Sequence, residues 1–210
     1  MLRSFCFIST VVFLASFHKP FILEESPLAA YSTEWQKTEY LKCNTAKNTA
    51  YLSQPEKKLI WVLNMIRSNP SLFALTVVKK YPDNINKPWI KNIAEYKSLL
   101  TTLEKTKKLS LLYPDSLGWI SAKCHAVSSG LSGYVGHERQ DNTCNTSFSA
   151  ECCDYGSNDP LDIIMNLLID EGVASLGHRN ILLSNEYKMA GVSIQPHKLY
   201  QYTAVFDFYY

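Results

Sequence analysis

Three residues in the second half of the chain carry side chains suited to metal or acid–base chemistry: His137 in GYVGHERQ, Glu151 in SAECCDYG and His178 in SLGHRN. Each histidine follows a glycine, at an expected loop or helix start where the backbone can approach another element closely. Two neutral imidazoles brought together from separate segments make a pair of divalent-metal ligands, and a carboxylate completes such a site. Nothing in the local spacing forces the three together, and the plainer alternative is that each histidine satisfies a buried backbone carbonyl. His125 stands beside Cys124, but adjacent helix positions face apart, so these two form no catalytic dyad by themselves. The chain has no H-E-x-x-H helix, G-x-S-x-G elbow, phosphate-cradling glycine loop or spaced pair of C-x-x-C units.

The elements that must position these residues are legible as helices first and strands last. Ser53 with Glu56 forms a capping box, Pro55 suits a first turn, and Leu59, Ile60, Leu63 and Ile66 recur at helical spacing. Pro70 breaks that helix, and PSLFALTVVKKY restarts as a second one that Pro82 closes. A turn and an amphipathic helix follow over NINKPWIKNIAEYKSLLTTLEKTKKL. YPDSLGWISAKCHAVSSGLSG reads as a further helix with Leu117, Ile120, Cys124 and Val127 on its inner face, stopped by Gly130 and Gly133. Tyr134 to Gly156 reads as loop. PLDIIMNLLIDEGV is an apolar helix opened by Asp159-Pro160 and ended by Gly172. MAGVSIQ and YQYTAVFDFYY are β-branched and aromatic runs spaced for a hairpin. This order, without βαβ alternation, predicts an α+β fold around an antiparallel sheet.

The N-terminus, MLRSFCFISTVVFLASF, has one arginine and then a short apolar run, the pattern of a secretory signal peptide over residues 1–17 with an undefined cleavage site. An uncleaved membrane anchor and a buried core segment are the alternatives. Residues 18–50 read as a linker or N-terminal extension, and 51–210 as the domain. Export makes disulfides the expected use of the cysteines. Without Cys6 an odd number remains, and Cys144 with Cys152 or Cys153 is the first expectation for a bridge. A bond between the adjacent Cys152 and Cys153 is strained and not expected. The sequon at Asn145 matters only in a host that glycosylates. A formal net charge of +2 and short lysine clusters argue against nucleic acid as a partner.

Taken in order, LNMIRSNPSLFA, VGHERQ, AECCDYG, LGHRNILLSNEYKMAGVSI and YTAVFDF resemble the CAP superfamily (cysteine-rich secretory, antigen 5 and pathogenesis-related proteins; SCP-like), in its bacterial extracellular form. The resemblance runs from about Ser53 to Phe208, and GHRNIL is its sharpest piece. It implies an α-β-α sandwich, an antiparallel sheet between helical layers, with a cleft on one side. It maps His137 and His178 onto the two cleft histidines that hold a divalent metal, often zinc, and Glu151 onto the cleft glutamate. The second glutamate of the eukaryotic pattern has no assured counterpart, with Asp162, Asp170 and Glu171 on offer. Gly177 is expected to let the loop turn close to the sheet, and Arg179 and Asn180 to tie the turn that follows. The implied function is that of a secreted or cell-envelope module whose cleft takes a metal and a ligand (peptide, lipid or protein). The alternative is a zinc-dependent hydrolase with Glu151 catalytic. Membrane contact is expected only through an uncleaved N-terminal segment.

Overall fold

The computed structural model describes residues 24–144 and 147–210 of the chain. The expected signal segment, Cys6 and the Asn145 sequon lie outside these residues. The fold is α+β. Its helices are α1 (Thr38–Leu41), α2 (Gln54–Ser68), α3 (Pro70–Phe73), α4 (Tyr81–Asn84), α5 (Ala94–Lys105), α6 (Ser116–Ser132), α7 (Pro160–Ile169) and α8 (Gly177–Leu182). The strands are β1 (Tyr113–Pro114), β2 (Ala150–Tyr155), β3 (Met189–His197) and β4 (Gln201–Tyr209), in the order β1-β3-β4-β2. β3 and β4 form the expected hairpin and β2 joins it antiparallel, while the two-residue β1 pairs parallel with β3, so the sheet is mixed. Among the described residues no helix is long and apolar enough to cross a membrane.

Side chains alternate across the sheet and sort its two faces. Ala190, Val192, Phe206, Phe208 and Cys152 point into the large core that holds α2, α5 and α7. Cys153 and Val205, paired in register, meet Ala122 and Ala126 of α6 on the opposite face. Helix α2 begins at the capping box of Ser53 and Glu56, and the buried Glu56 also accepts from Ile194 N at 3.0 Å, which fixes the helix to β3. Residues 24–50 are built into this core through Leu28, Trp35, Tyr40, Cys43 and Ala46.

Several local expectations are corrected. Pro82 does not close a helix; it sits in the first turn of α4, where a missing N–H costs nothing. In α6 the inner face is not Leu117, Ile120 and Val127, which are all exposed, but Gly118, Ser121, Ala122, His125, Ala126, Ser129 and Gly130. Small residues are needed there because helix and sheet touch backbone to backbone: a Cβ on Gly191 would lie 1.9 Å from the carbonyl carbon of Gly118. Gly130 is an interior contact against Pro196 O and stops nothing, whereas Gly133 caps the helix at φ 79°. The disulfide joins Cys124 to Cys144; Cys43, Cys152 and Cys153 are free and buried. Cys152 and Cys153 lie on opposite faces of β2, and neither pairs with Cys144, whose sulfur is taken by Cys124.

Candidate metal centre

The segment after α6, read as loop to Gly156, ends in strand β2, and that strand places Glu151. Its residues run Glu-Cys-Cys-Asp, all four buried. Glu151 faces α6 beside its register partner Asp207 on β4. Above them Gly136 is held from two sides: its N–H donates to Tyr155 Oη at 3.0 Å, and its carbonyl accepts from His125 Nε2 at 3.0 Å. Its φ of 136° is a backbone conformation that strains any residue with a Cβ, which favours glycine here. The next residue, His137, thereby sits over Glu151, with Nδ1 2.9 Å from Oε1. Oε2 of Glu151 takes a short charge-assisted hydrogen bond from Arg139, whose guanidinium also reaches Asp207 Oδ2 at 3.4 Å and covers the Phe148 ring.

Charge in this cluster follows from those partners. Burial works to raise the Glu151 carboxyl, but hydrogen bonds from His137, Asp207 and Arg139 outweigh it and hold the group below its ordinary value. Asp207 goes the other way, pushed up to about 8 by burial and by the neighbouring Glu151. Within the pair, the Arg139 and His137 contacts favour the ionised form of Glu151, and burial beside that charge favours the protonated form of Asp207. The hydrogen bond to Glu151 raises His137 against the opposing effect of burial. His125 is wholly buried, and desolvation lowers its pKa.

His178 is positioned by the end of α7. That helix stops at Asp170, not at Gly172, because Asp170 adopts a left-handed conformation with φ 59°. Its carboxylate then accepts from His178 N at 3.0 Å, from Arg179 N at 3.3 Å and from His178 Nδ1 at 2.7 Å. One aspartate thus ends one helix, starts α8 and orients the imidazole. The left-handed residues of this turn are Asp170, Gly172 and Leu176, so Gly177, expected to make the close turn, is simply the first residue of α8. Arg179 is 1% exposed. It donates to the carbonyls of Leu168, Ile169 and Glu95 and to Ser98 Oγ, so it ties the preceding helix end to α5 and not the following turn. The following turn is held by Arg67, which donates to Leu182 O and Ser184 O. Asn180 reaches back to Ser175 O at 3.1 Å.

The His137 and His178 rings stand 6.1 Å apart, centroid to centroid. Comparison with protein-family models, curated proteins and solved structures gives no match. Each ring has Nδ1 against a carboxylate, Glu151 or Asp170, and no hydrogen bond from the described residues engages either Nε2. A metal-bound imidazole places its centroid ~3 Å from an ion bound at ~2 Å, so rings sharing a tetrahedral ion stand roughly 5 Å apart, and these two would have to close by about 1 Å to share one. The two imidazoles, with Glu151 and Asp170 behind them, are the donor types that a divalent ion of the zinc kind takes.

Two other donor groups occur among the described residues, and both are poorer. His125, Glu151 and Cys153 lie together, but His125 Nε2 must donate to the Gly136 carbonyl and the Arg139 cation already sits on Glu151. In Cys124, Asp141 and Cys144 the sulfurs are joined to each other. A cavity of about 750 Å³ opens beside the centre, with His178, Trp89, Tyr81 and Asp154 in its wall. Sequence reasoning missed Arg139 and Asp207; it offered Asp170 as one of three acids without a register to choose among them.

Proposed function

We propose that the protein is an exported, CAP-like binding module that holds a divalent metal, zinc in the first instance, through His137 Nε2 and His178 Nε2, next to a cleft that accepts a ligand. One observation carries this reading. Both imidazoles have Nδ1 held by a carboxylate, which leaves a lone pair on each Nε2, and the two rings stand 6.1 Å apart. The exposure of His137 and the partial exposure of His178 give an ion access from solvent. Support for the α-β-α sandwich comes from helices on both sheet faces, α6 on one and α2 with α7 on the other. Support for export is the apolar leader and, weakly, the disulfide.

Zinc bound there would supply Lewis acidity and an acidified water, which is the basis of the hydrolase alternative. The surroundings favour binding over hydrolysis. Both oxygens of Glu151 are engaged, one by His137 and one by Arg139, and its proton affinity is depressed. A carboxylate so held orients its imidazole and is a poor proton acceptor. The test is zinc titration by calorimetry on wild type and on the His137→Ala, His178→Ala double variant. Binding of one zinc that disappears in the variant supports the reading; equal binding, or none in either, sinks it. Hydrolysis of a peptide or ester panel that Glu151→Gln abolishes while zinc stays bound would instead favour the enzyme.

A further inference from the structure

The cavity beside the metal centre has a chemical character of its own. Asp154, Asp162, Asp170 and Glu171 line it, against Lys87, which is exposed, and His178. Three of these acids are accounted for. Asp162 accepts from Tyr81 Oη at 2.8 Å and from Ser157 Oγ at 3.4 Å. Asp170 is spent on the start of α8, and Glu171 is in solvent. Asp154 is different. It sits near the end of the edge strand β2, is 6% exposed, and its Oδ2 has no hydrogen-bond partner among the described residues. Burial pushes its carboxyl up to about 7, against the opposing pull of Asn166 and the Tyr155 backbone. A buried carboxyl in a cavity wall with one oxygen unpaired is satisfied, when ionised, by a donor that bears positive charge. Ser157 and Asn166 are also in the wall, and its apolar and aromatic part includes Ile85, Ile90 and Trp89, which is half-exposed.

We propose that this cavity binds an organic cation, a primary ammonium or guanidinium on an apolar body, with the charge on Asp154 and the body against Trp89 and Ile85. The volume falls in the range of small-ligand sites. The aromatic wall suits such a ligand twice, as an apolar surface and as a π face for a nearby cation. Two sources offer this chemistry, a free amine and the Lys or Arg side chain of a peptide. Neither needs the metal, so the proposal stands apart from the zinc reading and survives its failure.

The experiment is calorimetry on the EDTA-treated full chain with three probes: phenethylamine, phenethyl alcohol, and an end-capped tripeptide with lysine between two phenylalanines. Saturable binding of the amine or the peptide is expected, with the alcohol at least about tenfold weaker, since it lacks the charge-assisted bond. Asp154→Asn, which keeps the shape and removes the charge, is expected to weaken the cation by a similar factor. Trp89→Ala, at a half-exposed position, is the second variant if the first does not fold, and is expected to weaken all probes. Tighter binding of the tripeptide assigns the site to a peptide side chain, and tighter binding of phenethylamine to a small amine; either supports a cation site. No saturable binding of either cation, equal binding of the alcohol, or unchanged affinity in Asp154→Asn overturns it.

Discussion

Replacing Asp170 by Asn separates the two tasks of that side chain. Asn tolerates the left-handed backbone at φ 59°, so the end of α7 should persist. The amide oxygen can still accept from the backbone N–H groups of His178 and Arg179, now at 3.0 and 3.3 Å from Oδ2. Toward His178 Nδ1, where Oδ1 stands at 2.7 Å, the variant presents an NH₂ group that cannot accept. The imidazole must answer with the other tautomer, its proton on Nε2 and its lone pair turned to the amide. A protonated Nε2 is no ligand. Loss of such a carboxylate behind a metal-bound histidine weakens metal binding ~10–100-fold, or roughly 1.4–2.7 kcal/mol. Fold stability should fall by only about 1 kcal/mol, the difference between a charged and a neutral acceptor. Competitive zinc titration reads the affinity, urea denaturation the stability, and nitrogen NMR of the ring the tautomer. Zinc affinity within about twofold of wild type, or a ring still protonated at Nδ1, would refute the argument.

Arg179→Met should cost roughly 3–5 kcal/mol in urea denaturation, because it strands the buried carbonyls of Leu168, Ile169 and Glu95 at about 1 kcal/mol or more each. A loss under about 1 kcal/mol would mean that water takes over those acceptors. Gly191→Ala drives a Cβ to 1.9 Å from one α6 backbone atom and 2.1 Å from another, and should lower stability by ~3 kcal/mol or more; an unshifted denaturation midpoint would contradict the close packing of α6. Asp154 gives a pH signature. With its folded pKa at about 7 against an ordinary 3.8, the native state binds the extra proton between those values, so stability declines as pH rises through that window and levels off above it. Asp154→Asn should match wild type near about pH 4 and exceed it by on the order of 2–4 kcal/mol near about pH 8. A difference that does not vary with pH refutes the assignment.

What the sequence disclosed and what it hid divide along physical lines. Helix α2 was legible because its cap, its proline and its apolar spacing agree, and the β3–β4 hairpin because β-branched and aromatic residues crowd both runs. Helix α6 misled because its largest apolar residues lie outside: where backbones touch, size and not hydropathy decides which side faces in. Strand β2 was hidden by its own chemistry, since Glu151 and Asp154 are buried by pairing and by a cavity, which no alternation of polar and apolar residues records. His137, Glu151 and His178 were identifiable by type and by resemblance, and the structure brings them together. Asp170 and Arg139 act through orientation and through a left-handed turn, neither of which spacing encodes.

Among the described residues, the pattern of one bridge and three buried thiols bears on how the protein leaves its native state. Folded, Cys43, Cys152 and Cys153 are shielded, and burial drives each thiol's pKa up, so almost none is present as thiolate. Unfolding removes that protection at one stroke: three thiols of ordinary acidity meet the Cys124–Cys144 disulfide in one flexible chain and can attack it. Exchange then competes with refolding, and the longer the chain stays open above neutral pH, the more of it returns with the wrong pair joined. The lifetime of the folded protein is then set by the rate of opening, and acid, which silences the thiolates, makes the same opening reversible.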